Sequence, residues 1–155
     1  MSTLNIRKLA RKSERGQSLV ELAVSILFML LLFSGAVDLG WAYFTLTSLR
    51  DAAQEGASFA SICQNEAQIR QRVRTSGSDP IDLADALPSD DQIEIEYYTA
   101  GSGTASVSPA MGMEVRVTVR MEHEILMPFL GALINSQTYP LSAQASNTIL
   151  RTRCP

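Results

Sequence analysis

The sequence predicts an α+β fold: a long N-terminal helix, membrane-spanning in its first half, with a small antiparallel β-sheet head packed on its second half. Three features carry that reading. From Leu22 to Val37 runs a stretch of sixteen uncharged, mainly apolar residues, bounded by Glu21 and Asp38. No proline occurs between Gly16 and Pro80. Beyond Pro80, Gln92–Tyr97 and Met113–Met121 alternate apolar and polar residues, as half-buried strands do.

The apolar run has the length of a bilayer. At about 1.5 Å per residue, Glu21 and Asp38 stand roughly 26 Å apart along a helix axis, against a hydrocarbon core about 30 Å thick. Sixteen positions without a polar face argue against a buried helix of a soluble protein. Trp41 and Tyr43 follow as an interfacial aromatic pair. A removable secretory signal needs a shorter run ending in a small-residue cleavage site. Ser34-Gly35-Ala36 is small enough, but the helical pattern continues through it.

Charge orients the span. The chain of 155 residues carries 13 basic and 16 acidic residues, and Arg7, Lys8, Arg11, Lys12 and Arg15 all precede the span. With Glu14 the one acid among residues 1–16, the remainder has a net charge of −7. A basic head before the span and an acidic body after it predict a cytoplasmic N-terminus and an extracytoplasmic head. An acidic body also excludes nucleic acid as an expected ligand. The lipid bilayer is the first expected partner.

Glu21 is out of place at the edge of hydrocarbon, where a carboxylate costs a few kcal/mol on insertion scales. Its context is a basic leader, then Gly16-Gln17-Ser18-Leu19-Val20-Glu21, then the apolar helix. This resembles the type IV prepilin motif. The resemblance implies cleavage by a membrane-embedded prepilin peptidase between Gly16 and Gln17, leaving Glu21 fifth in the mature chain. The new Gln17 ammonium and Glu21 then form the charge pair expected to guide assembly with neighbouring subunits.

Two further elements narrow the likeness. Gly35-Ala36-Val37-Asp38-Leu39-Gly40 and Ala52-Ala53-Gln54-Glu55-Gly56-Ala57 resemble the TadE-like family of tight-adherence (Flp) pilus systems. Family positions are thus Gly35, Asp38, Gly40, Ala52, Ala53, Glu55 and Gly56. The resemblance implies a pilin-like fold in the bacterial inner membrane. It also implies pilins, pseudopilins and the pilus assembly platform as partners, and a role in surface attachment and biofilm formation. At 155 residues the chain is longer than the major Flp pilins, which implies a minor pseudopilin. Leu22 stands where those pilins carry tyrosine. The rival readings are a type II secretion pseudopilin and an uncleaved single-span anchor for a binding domain.

The expected organisation is a basic leader over residues 1–16, a membrane or filament-core half of the helix over 17–44, its outer half over 45–75, and a head over 76–155. Leu46, Leu49, Ala53, Ala57, Ala60 and Ile69 mark an apolar stripe on one helix running from about Ser18 to about Arg74. The small-residue ridge Ala52, Gly56, Ala60 is expected to pack against the chain's own sheet. In the head, Ile81–Leu87 reads as a short helix capped by Asp79, with Pro80 in its first turn. Residues 100–110 read as a flexible connection, Ile125–Ile134 as a short helix and Tyr139–Arg151 as a last strand. Glu94 and Glu96 are expected to face Arg116 and Arg120 across two strands, and Tyr97, Tyr98 and Tyr139 to belong to the sheet.

Cys63 and Cys154 both fall in the part expected outside the cytoplasm, where disulfides persist. A bridge between them is the expectation, and two free thiols the alternative. Asp79, Asp82, Asp85, Asp90 and Asp91 match no EF-hand spacing and read as a solvated loop. His123, between two glutamates, reads as solvent-facing. No zinc-type Cys/His cluster, phosphate loop or Ser/His/Asp set is present in the sequence. Neither a cofactor nor a metal is expected, and no enzymatic activity.

Overall fold

The computed structural model describes residues 3–77, 81–127, 131, 135–152 and 154, with side chains from residue 16 onward. Two compact units divide at Leu39/Gly40. The fold is α+β: one long apolar helix and a four-stranded antiparallel sheet.

In the first unit the backbone is helical from Thr3, the start of α1 (Thr3–Ala60). The helix was expected to begin near Ser18; the leader joins it because Leu, Arg, Lys, Ala and Glu are good helix formers. Large apolar side chains from Leu19 to Leu39 are exposed all round, Leu27 at 68%, Met29 at 70% and Phe33 at 70%.

In the second unit residues 45–60 of α1 bury one face. Thr45, Leu49, Ala52, Ala53, Gly56, Ala57 and Ala60 are buried, while Arg50, Asp51 and Gln54 face water. The expected single helix to Arg74 is instead two. α1 stops at Ala60, where the Ser61 N–H still bonds the Ala57 carbonyl and the Cys63 N–H turns back to Phe59. Asn65 then starts α2 (Glu66–Thr75), its Oδ1 accepting from the Ala67 and Gln68 N–H groups. The break is physical. It lets Ile69 and Val73, both fully buried, join the same core as Leu49 and Ala53.

α3 (Leu83–Ala86) is capped by Asp82, whose Oδ1 accepts from the Ala84 N–H at 2.9 Å. The expected cap, Asp79, and Pro80 lie outside the described residues. The sheet comprises β1 (Ile93–Tyr98), β2 (Ala105–Ser106), β3 (Glu114–Glu124) and β4 (Thr138–Thr148), in the order β2-β1-β3-β4. The connection expected over 100–110 thus holds a short strand, reached by a turn in which Gly101 and Gly103 take φ of +85° and +63°. Most of the helix expected at Ile125–Ile134 lies outside the described residues; Ile125 itself is non-helical, its N–H bonding the Gln137 carbonyl.

Period-two alternation sorts the sheet faces. Ile93, Ile95 and Tyr97 of β1 oppose Val119, Val117 and Val115 of β3, which oppose Ala143, Ala145 and Asn147 of β4. This face forms the core with α1 and α2. The other face carries Glu94, Glu96, Arg116 and Arg120. Arg120 bonds Glu94 at 2.7 Å, a diagonal pair. Arg116 was expected to pair with a β1 glutamate, but it bonds Glu114 at 3.3 Å and lies 4.2 Å over the Tyr98 ring. Glu96, directly opposite it, accepts instead from the Tyr98 hydroxyl at 2.9 Å.

Candidate membrane and assembly segment

Residues 16–60 form the one helix, among the described residues, long and apolar enough to cross a membrane. Its apolar window has no residue buried within the chain. Burying one such side chain is worth about 1.5–3 kcal/mol, so a run of this size needs lipid or protein around it.

Gly16, Gln17 and Glu21 are exposed at the start of that segment. The Glu21 carbonyl accepts from the Ser25 hydroxyl at 2.8 Å. Glu21 lies four residues, a little over one helical turn, from Gln17. The bond between Gly16 and Gln17 lies inside helical backbone.

The motif glycines divide into two kinds. A Cβ built on Gly16, Gly35 or Gly40 meets nothing within 4 Å. On Gly56 it would stand 2.5 Å from Val73 Cγ2 and 3.3 Å from Val117 Cγ1. Gly56 is therefore required by the chain's own packing, together with buried Ala52, Ala53 and Ala60. Nothing among the described residues demands glycine at 35 or 40. Glu55 bonds Arg72 of α2 through its Nε at 2.7 Å. Asp38 is buried, at 8% exposure, unlike the apolar residues before it.

Cys63, fully buried, is joined to Cys154 by a disulfide spanning 91 residues of sequence. The tail is held beside it by further contacts that the sequence does not announce. The Gln64 amide donates to the Ala60 and Arg151 carbonyls at 2.8 and 2.6 Å, and the Leu150 N–H to the Ser61 carbonyl at 2.8 Å.

His123 is the clearest correction in the head. It is 5% exposed, edge-on to Tyr139, with Nδ1 3.4 Å from Thr45 Oγ1. Its place on β3 turns it inward with Val115, Val117 and Val119, while Glu122 and Glu124 point out. Thr45 stands four residues before Leu49 on the buried stripe; that register was the one sequence signal of its burial.

Among the described residues, Asp82, Asp85, Asp90 and Asp91 form no group that could hold a metal ion. Asp82 caps α3, and Asp90 bonds Arg74 at 2.7 Å. That hydrogen bond holds the Asp90 carboxyl below its ordinary value. On β1, burial and then the Glu66 carboxylate push the Tyr97 phenol up. The bond to Glu96 does the same for Tyr98.

Residues 16–58 match the family described as TadE-like protein. No curated protein and no solved structure matches the chain. The family match and the exposed apolar helix together fit a membrane-anchored component of a tight-adherence pilus.

Proposed function

We propose that this chain, TadE-like through residues 16–58, is a minor pseudopilin that helps assemble a bacterial tight-adherence pilus. Residues 17–44 hold it in the inner membrane, with its N-terminus in the cytoplasm and its head outside. Surface attachment and biofilm formation follow from its place in that machine. The chain is a substrate here and not a catalyst. A prepilin peptidase hydrolyses the Gly16–Gln17 amide, leaving a carboxylate on Gly16 and an ammonium on Gln17.

One observation carries the reading: an apolar helical stretch with no residue of its window buried opens on Glu21 directly after a basic leader. An isolated carboxylate at membrane depth is costly, and an opposite charge relieves it. The Gln17 ammonium of a neighbouring subunit is that charge, so cleavage and assembly are coupled electrostatically. Gly35 and Gly40 support the same reading. Each costs a helix about 1 kcal/mol relative to alanine, with no contact among the described residues that needs the space. Small residues on a membrane helix let a second helix approach closely. The Cys63–Cys154 bridge suits an oxidising compartment.

Cells containing the peptidase should yield a mature chain whose intact mass begins at Gln17. Gly16→Phe should leave the precursor uncut, and Glu21→Ala should be cut yet fail to support pili. An unprocessed chain from such cells, or normal pili from Glu21→Ala, overturns the proposal. The uncleaved-anchor reading draws on one observation, the helical backbone at the cleavage point, which a peptidase must unwind. It requires Gly16→Phe to change nothing.

A further inference from the structure

β3 outruns its neighbour. Its pairing with β1 ends at Val119, opposite Ile93, while its pairing with β4 continues to Glu124, opposite Thr138. Two bonds set the hydrogen-bonding parity of the strand. The Ile125 N–H donates to the Gln137 carbonyl at 2.9 Å, and the Ile149 N–H to the Met113 carbonyl at 2.8 Å. Odd-numbered residues of β3 therefore direct their main-chain groups at β4, and even-numbered ones at the β1 side. Past the end of β1, the N–H and C=O of Glu122 and Glu124 face that side with no strand opposite them among the described residues.

Among the described residues, space borders this edge on both faces of the sheet. On the core side is a cavity of about 520 Å³ whose walls include Trp41, Thr45, Ile81, Met121 and His123. On the outer side is one of about 480 Å³ walled by Pro88, Asp91, Gln92, Glu122 and Pro140. Met121 and Glu122 border both. An extended segment laid along this edge would send alternate side chains into the two spaces.

Polarity defines what fits. The Thr45 hydroxyl donates to the Trp41 carbonyl at 3.0 Å and stands 3.4 Å from His123 Nδ1. Asp82, Asp85 and Glu124 border the core-side cavity, and Asp91 and Glu122 the outer one. Arg120, the base beside them, is bonded to Glu94. Among the described residues, the slot is thus a strand edge past the end of β1, with apolar floor, aromatic wall and strongly acidic rim.

We propose that this slot binds an extended basic segment of another protein chain as an added β-strand. Its main chain pairs with Glu122 and Glu124. An apolar side chain enters beside Trp41 and Met121, and lysines or arginines at alternate positions meet Asp91 and Glu122. The proposal rests on residues 40–155 alone and holds whether or not the leader is cut.

Trp41 is the only tryptophan of the chain, so its emission reports occupancy directly. The full oxidised chain in detergent micelles is titrated with an acetylated, amidated pentapeptide alternating valine and lysine. A saturable change in Trp41 emission is expected, with amide exchange of Glu122 and Glu124 slowed at saturation. Binding should weaken at least ~10-fold when glutamate replaces lysine or when the peptide's main-chain amides are N-methylated. It should weaken similarly in Glu122→Lys, whose side chain is exposed, and in Asp91→Lys. Equal binding of the N-methylated peptide would mean simple adsorption of cations and overturn the strand. Equal binding of the glutamate peptide, an unsaturable response, or unchanged affinity in both variants would overturn it as well.

Discussion

Gly40 and Gly56 lie on the same helix, and alanine at each tests whether their smallness serves the chain or something outside it. Both substitutions gain the same helix propensity, about 1 kcal/mol. At Gly40 the new methyl meets nothing within 4 Å, so that gain stands alone. At Gly56 it stands 2.5 Å from Val73 Cγ2, a fully buried and stiff side chain on α2. Forcing a methyl into a filled core costs about 1–3 kcal/mol. The difference between the two variants is therefore that overpacking cost alone. At ~4 °C per kcal/mol for a domain of this size, it separates their melting temperatures by about 4–12 °C. Scanning calorimetry of the full oxidised chain in detergent reads it. Val73→Ala should be less harmful in the Gly56→Ala background than in the natural chain, because the methyl fills the space it leaves. Equal stabilisation by Gly56→Ala and Gly40→Ala would refute the packing argument.

Opening the disulfide removes a cross-link over 91 residues. Cys63→Ala, or reduction, should cost about 4.6 kcal/mol in the loop-entropy account, checked by urea unfolding with and without reductant. Thr45→Val should destabilise the head by about 1 kcal/mol, since it removes the hydroxyl that faces the buried His123 Nδ1; the same unfolding assay measures it. Tyr97 and Tyr98 have raised folded-state values. Their contribution is complete below the unfolded-tyrosine range near 10 and fades as pH rises through the folded values. Absorbance titration at alkaline pH should accordingly show a late-ionising phase that shrinks in Tyr97→Phe and in Tyr98→Phe. Asp90 runs the other way: lowered by Arg74, its small contribution is present above the ordinary carboxylate range and disappears as pH falls through the folded value. Asp90→Asn should therefore flatten the acid limb of a stability–pH profile.

Most of what lies in unit one was legible along the chain. An uninterrupted apolar run needs no tertiary partner to declare itself, because length against bilayer thickness is a local property. The alternating strands were legible for the same reason: a period of two survives in any half-buried strand. The end of α1 was not. Ala60 through Gln68 contain no proline or glycine, and a continuous helix satisfies every local rule there. The turn occurs because Ile69 and Val73 reach the shared core only after the chain folds back, and because Cys63 must meet Cys154. The Glu96–Arg116 pair failed on similar grounds. The register set them opposite each other, but the Tyr98 hydroxyl and ring took one partner each.

The amino-acid order by itself determined the membrane-length helix, its basic-to-acidic polarity, the Gly16–Glu21 motif and the strand alternation, all of them set by neighbours within a few residues. The folded chain decided which small residues are packed, that His123 meets Thr45, and that β3 runs past β1 with no strand opposite its end among the described residues. Those features depend on which distant segments meet, and contact between distant segments leaves no periodic trace in the sequence.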